Sequence, residues 1–103
     1  MDLSAYRFPL FLDLKGKKAV IVGGGKIALR RAGVLLSFGA EVTIIAPKCE
    51  AVPEGAFFYQ RPYEKGDLAE AFLAVAATDC REVNQQVGQE AKATGILVSV
   101  ADR

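Results

Sequence analysis

The stretch Lys18-Ala19-Val20-Ile21-Val22-Gly23-Gly24-Gly25-Lys26-Ile27-Ala28 decides how this chain folds. A short apolar run enters three glycines, and a segment with helical periodicity leaves them. The spacing Gly23, Gly25, Ala28 fits G-x-G-x-x-A. So bare a backbone turns tightly from a strand into a helix. It also lets a pyrophosphate approach the main-chain N–H groups at the helix start. The motif is weak alone and gains force when a strand precedes it, a helix follows and a second strand comes next. The competing reading is a tight strand-to-helix turn whose glycines serve packing only.

Working outward, apolar runs alternate with helix-period segments. Residues 18–22 read as a buried strand, and 26–38 as a helix with Ala28, Ala32, Leu35 and Leu36 on one face and Gly39 just past its end. Residues 41–46 are a second strand, stopped by Pro47. Residues 56–60 form a third, reached through Pro53-Glu54-Gly55. A helical turn is expected over 67–71 with Asp67 as its N-cap, then a fourth strand at 72–77. Residues 80–93 read as a helix ended by Gly95, and 96–100 as a fifth strand. Strands apolar on both faces belong in a parallel sheet covered by helices. The expected fold is therefore α/β: a Rossmann-like doubly wound sheet of five parallel strands in the order 3-2-1-4-5, with helices on both faces.

With 103 residues the chain suits one domain, burying roughly 65% of its unfolded surface. Residues 1–15 are expected to form an apolar arm, with Tyr6 to Leu14 packed on the domain. Tyr59, Tyr63 and Phe58 read as core or rim aromatics. The 13 basic and 12 acidic residues leave no excess for a nucleic-acid surface. No apolar run is long enough to span a membrane, and Met1-Asp2-Leu3-Ser4 does not open a secretory signal. Cys49 and Cys80 lack C-x-x-C spacing, and with no histidine a Cys/His zinc site is excluded. No metal site is expected, and two reduced thiols fit a cytoplasmic protein. The sequence runs only three residues past its fifth strand, so it reads as one domain of something longer or a trimmed module.

Three places beyond the glycines carry possible chemistry. A site for NAD usually has Asp or Glu about 20 residues after the first glycine, bonded to the ribose 2′-hydroxyl. Here Ile45-Ala46-Pro47-Lys48 offers no acid, and Lys48 is either a partner for a 2′-phosphate or a solvated lysine. The fourth strand ends in Ala76-Ala77-Thr78-Asp79, where Thr78 either contacts a ligand or caps the next helix, with Asp79 and Glu82 near capping-box spacing. Asp102, at the end of the fifth strand, is either a general base on the sheet's functional edge or a surface carboxylate.

Together these motifs resemble the N-terminal domain of the siroheme synthase family, which comprises precorrin-2 dehydrogenases, some also sirohydrochlorin ferrochelatases. The resemblance rests on Phe8-Pro9-Leu10-Phe11-Leu12-Asp13-Leu14, Val22 to Arg31, Val42-Thr43-Ile44-Ile45-Ala46-Pro47, Ala76-Ala77-Thr78-Asp79 with Val83-Asn84, and Val98-Ser99-Val100-Ala101-Asp102. It spans nearly the whole chain. It implies NAD-dependent oxidation of the tetrapyrrole precorrin-2 to sirohydrochlorin, with NAD preferred over NADP. By position it implies that Gly23, Gly24, Gly25, Lys26 and Ile27 hold the pyrophosphate region, that Pro47 and Lys48 flank the adenosine, that Thr78 lines the cleft and that Asp102 is catalytic. The family's ferrochelatase activity and homodimer are further implications, the dimerisation and helical domains being expected beyond residue 103. The chain departs from the family pattern with Cys80 in place of a second acid and Ser99 in place of Asn. The alternative is a stand-alone NAD(H)-binding module without catalysis.

Overall fold

The structure is a computed structural model that describes residues 6–101. Its elements are β1 (Lys18–Val22), α1 (Lys26–Ser37), β2 (Glu41–Ala46), β3 (Phe57–Gln60), β4 (Leu73–Ala76), α2 (Arg81–Thr94) and β5 (Leu97–Val100). The five strands form one sheet in the order β3-β2-β1-β4-β5, every pairing parallel. Strand β1 is central, with Val22 aligned to Ile45 of β2 on one side and to Ala76 of β4 on the other. Successive side chains of a strand point to opposite faces, and β1 feeds both cores. Ala19 and Ile21 join Val42, Ile44 and Val75 beneath Ala28 and Ala32 of α1. Val20 and Val22 join Ile45, Ala74 and Ala76 beneath Val87 and Ala91 of α2. The expected strand order and the helices on both faces are both observed.

Local chemistry corrects three expectations. Residues 67–71 form no helix. Asp67 is no N-cap: its carboxylate receives two bonds from the Arg61 guanidinium, each 2.8 Å, and one from the Glu64 N–H at 2.7 Å. Gly66 (φ 102°) and Glu70 (φ 65°) take left-handed conformations that stop helical propagation on either side. This strap still covers the α2 face, through Tyr63, Leu68 and Ala71. Second, Asp79 does not cap α2. The N-cap is Cys80, with no side-chain bond, and the Thr78 hydroxyl accepts the Cys80 N–H instead at 3.1 Å. Third, the arm does not pack down. Phe8, Leu10 and Phe11 are exposed, and of this segment only Leu14 joins a core. The sheet face nearest Leu14 is already filled by α1, and regular pairing begins only at Lys18. Residues 1–5 lie outside the described residues.

Candidate functional site

Strands β2 and β4 leave β1 in opposite directions, and the C-terminal ends of these three strands open a cleft of about 1160 Å³. In open parallel sheets this switch point is where ligands bind. The floor is the glycine turn, Gly23 to Ile27. One wall follows β2, from Ile45 to Glu50. The other follows β4, from Ala77 to Arg81, with Pro62, Tyr63 and Ala101 at the rim. All eight candidate cofactor residues line it: Gly23, Gly24, Gly25, Lys26, Ile27, Pro47, Lys48 and Thr78. Asp102 lies outside the described residues.

The three glycines have different reasons to be glycine. A Cβ on Gly23 would stand 2.4 Å from the Ala77 carbonyl oxygen, and Gly23 has φ 132°. A Cβ on Gly24 would stand 2.0 Å from the Lys48 carbonyl oxygen and 3.1 Å from the Ala46 methyl. These two residues weld the turn to its two walls. Gly25 is different, because a Cβ there would meet nothing within 4 Å. It is the N-cap of α1, makes no side-chain cap bond, and no acid lies in the helix's first turn. The first N–H groups of α1 thus face the cleft without a side-chain acceptor, beside Lys26. This is the donor set that a pyrophosphate needs.

The β4 wall is held by a network that the sequence pattern did not expose. Asn84, only 2% exposed, accepts the Thr78 N–H at 3.1 Å and donates to the Thr78 carbonyl at 3.0 Å. The Thr78 hydroxyl lies 2.7 Å from the same Asn84 oxygen and 2.9 Å from the Cys80 carbonyl, either of which accepts its proton. Thr78 is therefore tied at backbone and side chain together. The available signal was periodic: Asn84 shares one buried stripe with Val87 and Ala91, and a polar residue on such a stripe needs a partner.

On the β2 side, Gln60 donates to the Pro47 carbonyl at 3.3 Å. At the rim, the Tyr63 hydroxyl donates to Glu90 of α2, whose carboxylate also accepts the Gly66 and Leu68 N–H groups. Burial, then the bond to Glu90, raises the Tyr63 phenol above its ordinary value. Arg61 holds the Asp67 carboxyl below the usual carboxylate range. No helix among the described residues is long and apolar enough to cross a membrane.

A parallel sheet in this order, with a glycine turn and an uncapped helix start at its switch point, defines a nucleotide-binding Rossmann domain. Residues 10–103 match the family described as "Putative NAD(P)-binding", and the chain belongs to that family. It is similar to the siroheme synthase of Chromobacterium violaceum, 45% identical over 103 residues that cover 92% of this chain and 22% of that protein. It is also similar to the siroheme synthase of Stutzerimonas stutzeri, 45% identical over 100 residues that cover 91% of this chain and 22% of that protein. Among solved structures it resembles "SirC, precorrin-2 dehydrogenase", with a TM-score of 0.76 and 31% identity, over 94% of this chain and 52% of that one. The chain spans about a fifth of the length of the curated relatives it matches.

Proposed function

We propose that this chain is the NAD-binding unit of a precorrin-2 dehydrogenase, which oxidises precorrin-2 to sirohydrochlorin in siroheme biosynthesis. The observation that carries this reading is the cleft at the switch point, in a chain 31% identical to a solved precorrin-2 dehydrogenase over 94% of its length. Gly25 and the first turn of α1 hold the pyrophosphate, and Lys26 adds positive charge beside it. Pro47 and Lys48 flank the adenosine. Thr78, fixed by Asn84, lines the path toward the nicotinamide. When bound, NAD supplies a hydride acceptor for the tetrapyrrole. Asp102 acts as the base that takes a proton from the substrate as it is oxidised. The unpaired Cys49 and Cys80 fit a reducing cytoplasm.

Titration of the chain with NADH, followed by nucleotide fluorescence, tests the cofactor, and saturable binding is expected. Incubation of the chain extended with the remaining domains of its relatives, together with precorrin-2 and NAD, followed by the absorbance of sirohydrochlorin, tests the reaction. An Asp102→Asn variant should keep NADH affinity and lose turnover. Turnover that survives Asp102→Asn removes Asp102 from the mechanism. NADH binding without turnover even when the chain is extended with the remaining domains of its relatives supports the module alternative instead.

A further inference from the structure

The adenosine ribose of NAD presents two hydroxyl donors, and a carboxylate with two acceptor oxygens matches them. The usual place for that acid is the C-terminal end of β2. In this chain that place is closed. Ala46 is only 3% exposed, and its methyl packs against Gly24. Pro47 then ends the strand, and the chain runs on along the cleft wall.

Two contacts fix that wall. The Lys48 carbonyl rests on Gly24, where no side chain could fit, and the Pro47 carbonyl receives the Gln60 amide. Both carbonyls have these partners, and two residues past Lys48 the side of the cleft is lined by Glu50. Among the described residues lining the cleft only Glu50 and Asp79 carry carboxylates, and Asp79 stands on the β4 wall. The ion pair found among the described residues is Arg61 with Asp67, so Glu50 has no cationic partner there.

We infer that Glu50 is the residue that accepts the ribose hydroxyls and sets selectivity for NAD over NADP. It takes the role of the missing acid at the end of β2, delivered four residues later by a turn that Gly24 and Gln60 hold in place. A 2′-phosphate would meet the Glu50 carboxylate as a like charge. Lys48, on the same wall, is the competing determinant, and it would select the opposite cofactor.

This assignment rests on the proposed nicotinamide cofactor, and one set of titrations separates the two. NADH and NADPH are titrated into the unaltered chain and into Glu50→Gln, Lys48→Ala and Glu54→Gln variants. Glu54 carries the same charge in the neighbouring turn but does not line the cleft. The unaltered chain should prefer NADH. Glu50→Gln should weaken NADH by about tenfold, the scale of a lost hydrogen bond to a charged group. It should leave NADPH unchanged or tighter, and Glu54→Gln should match the unaltered chain. Glu50 is exposed, so the variant should retain the parent's thermal midpoint. NADH affinity that Glu50→Gln leaves unchanged overturns the assignment alone. So does a preference for NADPH that disappears in Lys48→Ala. Failure of the unaltered chain to bind either dinucleotide overturns the cofactor reading itself, and the assignment falls with it.

Discussion

The two walls of the cleft are built differently. The β4 wall is finished before any ligand arrives: Thr78 is bonded at its N–H, carbonyl and hydroxyl, all within reach of the buried Asn84. The β2 wall is fixed at its backbone and left open at its side chains. Its Pro47 and Lys48 carbonyls are seated, while Lys48 and Glu50 extend exposed into the cleft. A closed network specifies one geometry because every buried polar group has a partner. Exposed charges that line a cleft leave their bonding capacity open to a ligand. Under the proposed function the β4 wall positions and the β2 wall recognises.

The sharpest way to break that division is at the glycines between the walls. Gly23→Ala places a methyl 2.4 Å from the Ala77 carbonyl at φ 132°. Either the turn or the start of the β4 wall must move, at a cost on the order of 3–5 kcal/mol. Such a loss is a large part of a domain's stability, and urea denaturation should show it as a collapsed midpoint. Gly25→Ala meets open space at a φ of -86°, which any residue adopts. It should leave the midpoint within about 0.5 kcal/mol of the parent and still weaken NADH, because the methyl intrudes where the pyrophosphate must come close. If both variants lose stability equally, the glycine turn is packing alone.

A smaller loss is expected from Asn84→Ala. It strands the half-buried Thr78 N–H and carbonyl, and each group left unsatisfied out of water costs about 1–3 kcal/mol. Water entering the vacated space would moderate the sum, so a net loss of about 2–3 kcal/mol is expected in the same denaturation. Thr78→Val removes only the hydroxyl and should cost about 1 kcal/mol. Equal costs for the two variants would mean that Asn84 serves only the hydroxyl and not the backbone of the wall.

The floor was more legible in the sequence than the walls. Lys18 to Ala28 announces a strand, a turn and a helix through residue type alone, because only glycine accepts what Gly23 and Gly24 must do. The strands were legible because runs such as Val42 to Ala46 are apolar on both faces. The walls depend on contacts between residues distant in the chain. Gln60 reaching Pro47 and Lys48 resting on Gly24 leave no local pattern. Glu50 falls outside the usual spacing because Ala46 and Pro47 displace the acid along the chain. Asp67 misled because an aspartate before an apolar segment is a cap signal. Its true partners, Arg61 and the Glu64 N–H, lie behind it. The arm misled in the opposite sense, since its apolar character says that it wants cover and not that this domain supplies it.

The smallest effect tests the rim, where the strap brings Pro62 and Tyr63 to the cleft. The strap belongs to the positioning side: Glu90 of α2 holds it through Tyr63, Gly66 and Leu68, and the Arg61–Asp67 pair closes its turn. The bonds from Arg61 chiefly hold the folded Asp67 carboxyl below its unfolded value of about 3.9. A group shifted this way stabilises the fold above about pH 4 and loses that contribution as pH falls through the lowered folded value. Arg61 is well exposed, so solvent screens the pair and the effect is modest. Urea midpoints measured from neutral pH downward should show Asp67→Asn below the parent near neutrality, with the two converging in acid. A difference that persists unchanged at low pH would mean that Asp67 matters for the geometry of its bonds and not for its charge. Convergence with retained NADH affinity would show that the rim can loosen while the floor and the β2 wall still hold the cofactor.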